Sequence, residues 1–175
     1  MKNDRAIIFN NKVVEYHSKT QVLLPRNFES KLRQSDDQLK KLYTPIKNTL
    51  MAMSGVKSRM LKYDEVFRAR GVIAKIRIKG KSLYVYLRID PASVDHDWLK
   101  VVDKSHRNGF FECPCEIKVT GKRKLKRTIE LIVLMGKALE LGKKRNFQPL
   151  DYAQEYPFIK NAVIEGKDKT IDLDR

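Results

Sequence analysis

Alternation of apolar and polar residues between Val72 and Ile89 constrains this chain more than any other feature. Every second position on either side of Gly80 is apolar: Val72, Ala74, Ile76 and Ile78, then Leu83, Val85, Leu87 and Ile89. A period of two places alternate side chains on opposite faces of a strand. The short link around Gly80 suits a hairpin, because glycine accepts the positive φ of tight turns. We therefore predict an antiparallel hairpin with one buried face.

The opposite face of this hairpin is predicted to be basic and aromatic. Its residues, with one from the link, are Lys75, Arg77, Lys79, Lys81, Tyr84, Tyr86 and Arg88. Two further strands, predicted at 57–63 and 65–70, add Lys57, Arg59, Arg68 and Arg70. Cations contact phosphates and tyrosine rings stack on unpaired bases, so this pattern is typical of nucleic-acid binding. The alternative is that a helix or the tail covers the two tyrosines and they belong to the core.

Two amphipathic helices are predicted around these strands. The first begins with a capping box at Ser35–Gln38 and reaches Met53, and the second follows Thr120-Gly121. Short strands are predicted at 5–16, 98–102 and 113–119. Together they indicate an α+β fold: a small antiparallel sheet of about five or six strands, two main helices on one face, and a C-terminal tail. The predicted domains are residues 1–26, 27–143 and 144–175.

The start of the second helix has an unusual charge. Lys122, Arg123 and Lys124 lie at the positive end of the helix dipole, where cations are unfavourable. A bound phosphate would offset that repulsion, since the free N–H groups of a helix start accept anions. Screening by solvent is the alternative. We therefore predict a secondary anion site at these three residues.

The charge distribution favours an anionic partner. The chain has 37 Lys and Arg residues against 21 Asp and Glu, a formal net charge of +16. Residues 144–175 hold six of each sign, so the excess lies entirely in residues 1–143. Such a field attracts polyanions, of which nucleic acid is the first candidate. No apolar run is long enough to cross a bilayer, and a membrane partner is not expected. The expected location is the cytoplasm.

Signals for catalysis, metals or cofactors are weak. Asp64-Glu65 with Lys75 and Arg77 lacks the further carboxylate of an acidic nuclease site, and Gly80-Lys81-Ser82 lacks the upstream glycine of a phosphate-binding loop. Cys113 and Cys115 are predicted to share one face of a strand, without enough nearby ligands for zinc. His96 lies between two aspartates, which is more typical of a polar turn. We expect no enzyme activity, no metal and no cofactor.

Several segments between Asn27 and Leu141 resemble one bacterial family. They are NFESKL, YTPIKNTLMAM and GVKSR, a Phe-Arg-x-x-Gly element at Phe67, Arg68 and Gly71, IAKIRIKGKSLYVYLRIDP, and ECPCEIKVTGKRKLKRTIELI. In this order they resemble a clostridial-type domain of unknown function. A broader relative, found beside predicted endonuclease domains, has an Asp-x-Ser motif similar to Asp103-Lys104-Ser105. The resemblance implies an α+β domain with a small antiparallel sheet and a link to DNA, and it implies no particular activity.

The sequence therefore supports two functional hypotheses. The first is a non-catalytic module that binds single-stranded or structured RNA or DNA through the basic, tyrosine-bearing face. The second is a protein-interaction or inhibitory module, of phage or mobile-element type, whose partner is acidic or processes nucleic acid. Binding that weakens steeply with salt would favour the first hypothesis, and a stable stoichiometric protein partner would favour the second.

Overall fold

A computed structural model of the chain describes residues 27–94 and 98–158, and the backbone alone of residues 5–9, 12–16 and 170–172. The chain divides into two compact units, Asn27–Phe158 and the combination of Met1–Arg26 with Ile159–Arg175. The larger unit extends to Phe158, whereas the basic domain of the sequence analysis ended at residue 143.

Strands and helices occur in separate blocks along the described chain. The strands are β1 (Arg5–Phe9), β2 (Lys12–Tyr16), β3 (Lys57–Met60), β4 (Asp64–Ala69), β5 (Gly71–Lys79), β6 (Ser82–Leu87), β7 (Val101–Asp103), β8 (Cys115–Val119) and β9 (Thr170–Asp172). The helices are α1 (Phe28–Gln34), α2 (Asp37–Met51), α3 (Lys122–Ala138) and the short α4 (Tyr152–Glu155), with a 3₁₀ turn at Pro91–Ser93.

The larger unit is built on a six-stranded antiparallel sheet in the order β3-β4-β5-β6-β8-β7. Helices α2 and α3 pack on one face, and the main core lies between them and the sheet. This confirms the predicted α+β class and the antiparallel sheet of about six strands. In the smaller unit β2 pairs antiparallel with both β1 and β9.

Helix α2 begins one residue later than the predicted capping box. Its N-cap is Asp36, whose side chain accepts a hydrogen bond from the backbone N–H of Leu39 at 2.8 Å. Ser35 instead ends α1 and donates its hydroxyl to the carbonyl of Lys31 at 2.6 Å. The predicted box was wrong because a second helix precedes Ser35, so that this serine terminates one helix before Asp36 begins the next.

A β-bulge changes the predicted face of one residue in β5. Phe67 pairs with Ala74 but Arg68 pairs with Val72, which leaves Ile73 as an extra residue in β5. Ile73 joins the main core and Val72 lies on the other side of the sheet. The prediction that Val72 shares a face with Ala74, Ile76 and Ile78 was therefore wrong, while the other three residues lie in the main core as expected.

Residues 144–158 pack against α2. The side-chain amide of Asn48 donates to the carbonyl of Leu150 at 2.9 Å, and its oxygen accepts from the N–H of Leu150 at 3.1 Å. Tyr152 is buried, and its ring meets that of Tyr43 edge-on with centroids 5.8 Å apart. This segment therefore belongs to the larger unit, and Tyr152 is part of its core.

Candidate nucleic-acid interface

The side of the six-stranded sheet that faces away from α2 and α3 is called the open face below. Directly paired residues of antiparallel strands share a face, so the register identifies its members. They include Lys57, Arg59, Asp64, Val66, Arg68, Val72, Lys75, Arg77, Lys79, Tyr84, Tyr86, Glu116 and Lys118. Cations outnumber carboxylates here, as the alternating sequence predicted.

The three cations of β5 already have partners. Lys75 Nζ donates to the carbonyl oxygen of Gly109, and Lys79 Nζ donates to Glu116 Oε2 at 2.9 Å. Arg77 forms a two-point ion pair with Asp64, with Nη2 2.7 Å from Oδ2. All three side chains are partly buried. They are thus not the freely exposed cations that the sequence analysis expected, and reversing their charge would place them against Asp64 and Glu116.

A loop, residues 104–114, lies over one part of the open face. Its Phe110 ring packs on Tyr86 with centroids 4.5 Å apart, and together with Val66, Val72 and Cys113 these residues form a second small core. Lys75, Arg77 and Arg107 place their charges 5.1, 5.1 and 5.4 Å from the centre of the Phe110 ring. The loop therefore closes this region to solvent.

Tyr86 is consequently fully buried, at 0% exposure, whereas Tyr84 remains partly exposed. The Tyr86 hydroxyl donates to Glu116 Oε2 at 2.5 Å. Burial and this hydrogen bond raise the pKa of Tyr86 far above its usual value. The two tyrosines do share a face, as predicted, but the expectation that both rings are open for stacking was wrong for Tyr86. The covering element is the 104–114 loop, which carries no pattern that assigns it to this surface.

Glu116 is the buried acid at the centre of the open face. Desolvation raises the pKa of its carboxyl, but the hydrogen bonds from Tyr86 and Lys79 and the charges of Lys79 and Lys104 more than compensate, so the net pKa is below its ordinary value. Lys104 Nζ lies 3.7 Å from Oε1. Both carboxylate oxygens thus face donors or cations, and Glu116 holds the loop, β6 and β8 together.

The two cysteines lie on opposite sides of the sheet. Cys113 belongs to the small core under the loop and Cys115 to the main core. The predicted shared face was wrong because β8 begins at Cys115, after Pro114. Burial raises the pKa of each thiol to about 12. No group of three or more His, Cys, Asp or Glu residues in the described ranges could hold a metal ion. His96 lies outside those ranges.

Exposed cations are concentrated at the β3–β4 end of the sheet. Lys57, Arg59 and Arg68 have exposed side chains on the open face, and Arg70 is exposed in the following turn. None of these four takes part in an ion pair within the described part of the chain. Arg88 is also exposed and donates to the carbonyl of Arg70 at 3.2 Å. Lys81 is exposed in the β5–β6 turn.

The start of α3 is distant in sequence from this group of cations. Gly121 is its N-cap and provides no side-chain hydrogen bond. Lys122 and Arg123 are exposed, Lys124 is half-buried, and the Arg123 guanidinium lies 4.3 Å from the centre of the Trp98 ring. The secondary anion site at these residues stays a prediction.

Tyr63 was missed by the sequence reasoning. It lies in the β3–β4 turn with 53% of its surface exposed. Lys62 Nζ is 5.2 Å from the centre of its ring, and Arg77 Cζ is 6.0 Å from it. A signal was present in the sequence, since Tyr63 sits between Lys62 and Asp64 at the end of a basic strand, outside the alternating pattern.

Comparison with family models, with curated proteins and with solved structures finds no match to this chain. The resemblance to the bacterial family therefore stays a prediction, and no residue role is transferred from it. None of the helices in the described residues is both long enough and apolar enough to cross a membrane.

Proposed function

We propose that this protein is a cytoplasmic, non-catalytic module that binds nucleic acid on the open face of its six-stranded sheet. The observation that carries the proposal is the group of exposed cations at Lys57, Arg59 and Arg68, which have no ion-pair partner in the described residues. Like charges held together on a rigid sheet repel one another, and a polyanion would relieve that repulsion. The two free, buried cysteines fit a reducing compartment.

The cations of β5 would contribute in a different way. Because Lys75, Arg77 and Lys79 are engaged by Gly109, Asp64 and Glu116, they hold the surface in shape more than they supply free charge. Phosphate contacts would therefore come mainly from β3, β4 and the turn at Arg70. Contacts of this kind give affinity that falls with salt and depends little on sequence.

A charge-matched pair of variants tests the proposal. The site variant changes Lys57, Arg59 and Arg68 to Gln. The control changes Lys41, Lys137 and Lys143 to Gln, which removes the same charge from exposed positions on or beside the helices. At about 0.7 per phosphate contact on a single strand, the slope of log K against log salt should fall by about 2 in the site variant and stay nearly unchanged in the control.

Fluorescence anisotropy with a labelled oligonucleotide over a range of salt concentrations gives these slopes. Equal weakening in both variants would mean that net charge, and not this face, attracts the ligand. Absence of binding by the unmodified protein would reject the proposal. Pull-down of the native protein with nuclease treatment addresses the alternative: a stoichiometric protein partner that survives the nuclease would favour a protein-interaction or inhibitory module.

A further inference from the structure

A row of rings and charged side chains crosses the open face. The register places Asp64 opposite Arg77, Arg77 opposite Tyr84, and Tyr84 opposite Lys118, and Tyr63 directly precedes Asp64. Arg77 Cζ is 6.0 Å from the centre of the Tyr63 ring, and Lys118 Nζ is 5.9 Å from that of Tyr84. The row is called the tyrosine row below.

The neighbouring row is covered at its centre. It consists of Arg59, Val66, Lys75, Tyr86 and Glu116, and the Phe110 ring covers its centre. In the tyrosine row, by contrast, Tyr63 is mostly exposed and Tyr84 is partly exposed. Accessible aromatic surface on β4, β5, β6 and the β3–β4 turn therefore lies along the row that runs from Tyr63 to Tyr84, and the covering loop adds the exposed Phe111.

The surroundings of the two rings are cationic. Lys62 Nζ lies 5.2 Å from the centre of the Tyr63 ring and Lys118 Nζ lies 5.9 Å from that of Tyr84, and neither lysine is in an ion pair within the described residues. The other two cations beside the rings, Arg77 and Lys79, are paired with Asp64 and Glu116. A flat, uncharged ring that stacks on tyrosine would therefore meet positive charge at its edge, where a phosphate could be bound. Unpaired nucleotides combine such a ring with such a charge. In a duplex the base faces are stacked on one another and are not available.

We infer that the tyrosine row binds unpaired nucleotides, with bases stacked on Tyr63 and Tyr84. This inference rests on the proposed function and specifies its ligand as single-stranded nucleic acid or an unpaired loop. Exposed cations of β3 and β4 bind the backbone, and the tyrosine row selects against fully paired duplex.

Substitutions of Tyr63 test the inference on an exposed site, where folding is little affected. Tyr63→Ala should weaken binding of an unstructured oligonucleotide roughly 5- to 150-fold, the equivalent of one stacked base. Tyr63→Phe should retain the affinity. Leu61→Ala is the matched control, since Leu61 is 42% exposed in the same turn but is not aromatic, and it should bind like the unmodified protein.

A blunt-ended duplex of two separate strands, with the same number of phosphates and no unpaired loop, is the second probe. Tyr63→Ala should leave its binding unchanged, and the salt slope for the unstructured oligonucleotide should also stay unchanged, because no phosphate contact is removed. Tyr84→Leu keeps an apolar side chain beside the small core while removing the ring. It should lower affinity for the unstructured oligonucleotide at an unchanged melting temperature.

The outcomes distinguish failure of the proposed function from failure of the stacking inference. Binding of neither probe by the unmodified protein overturns the proposed function and the inference together. If the Lys57, Arg59 and Arg68 variant loses binding but Tyr63→Ala does not, the proposed function stands and the stacking inference is wrong. Equal loss on both probes, or a preference of the unmodified protein for the duplex, also overturns the inference.

Discussion

Replacement of Lys47 by Met will strongly destabilise the larger unit, because it leaves a buried carboxylate without its counter-charge. Glu65 of β4 points into the main core with 0% exposure, and Lys47 of α2 is 6% exposed. Lys47 Nζ lies 2.8 Å from Glu65 Oε1. That oxygen accepts no hydrogen bond in the described residues, so the contact is electrostatic. The other oxygen, Oε2, accepts from the Tyr43 hydroxyl at 2.6 Å.

The size of each loss in stability depends on which charge stays buried without its partner after the substitution. Breaking a buried ion pair from one side typically costs about 3–5 kcal/mol. Lys47→Met also removes the ammonium from the rings of Tyr152 and Tyr156, whose centres are 4.3 and 5.6 Å away. Glu65→Gln keeps these cation–π contacts. Its loss in free energy of unfolding should therefore be about 2 kcal/mol smaller than that of Lys47→Met. For a domain of this size, 3–5 kcal/mol corresponds to a decrease in melting temperature of roughly 6–20 °C.

Urea unfolding of the two single variants and of the double variant measures the coupling between the residues. Because the double variant carries neither charge, its loss of stability should be smaller than the sum of the single losses by at least about 1 kcal/mol. Additive losses would show that the two side chains do not stabilise each other. A loss below about 1 kcal/mol for Lys47→Met would show that Glu65 does not depend on Lys47 for its counter-charge, and the electrostatic argument would then be wrong.

Two further predictions concern ionisable groups of the six-stranded sheet and its covering loop. Because the folded pKa of Glu116 is lowered, its carboxylate stabilises the fold above the ordinary carboxyl pKa, and that contribution disappears as the pH falls through the folded value. Glu116→Gln should therefore lower the free energy of unfolding, measured with urea at neutral pH, by about 2 kcal/mol. This difference in stability from the unmodified protein should shrink below about pH 4; a difference that stays constant with pH would contradict the prediction. Because burial raises the pKa of Cys113 and Cys115 from 9.0 to about 12, each has about a thousandfold less thiolate than an ordinary cysteine, and a thiol reagent should label the folded protein slowly. Mass spectrometry should find Cys113, under the loop, labelled before Cys115; the reverse order would mean that the main core opens before the loop.

Local pattern was sufficient for much of the fold. The hairpin of β5 and β6, the two main helices and the basic character of one sheet face follow from residue periodicity, which is a property of neighbouring positions. Strand β8, predicted within 113–119, was found for the same reason. Lys57, Arg59 and Arg68 were predicted to be on an accessible basic surface, and they are exposed. In any strand with such alternation, burying the charged face costs free energy.

Only the tertiary structure decided which parts of that face stay open. The extra residue in β5 moves Val72 to the open face, and the 104–114 loop then covers Val72 and Tyr86 and separates Cys113 from Cys115. Partners such as Lys47 and Glu65, or Tyr86 and Glu116, are far apart in the chain. Periodicity tells which way a side chain points, but its exposure depends on whether a distant segment packs over it. The free energy of that packing comes from contacts between segments, which no local pattern contains.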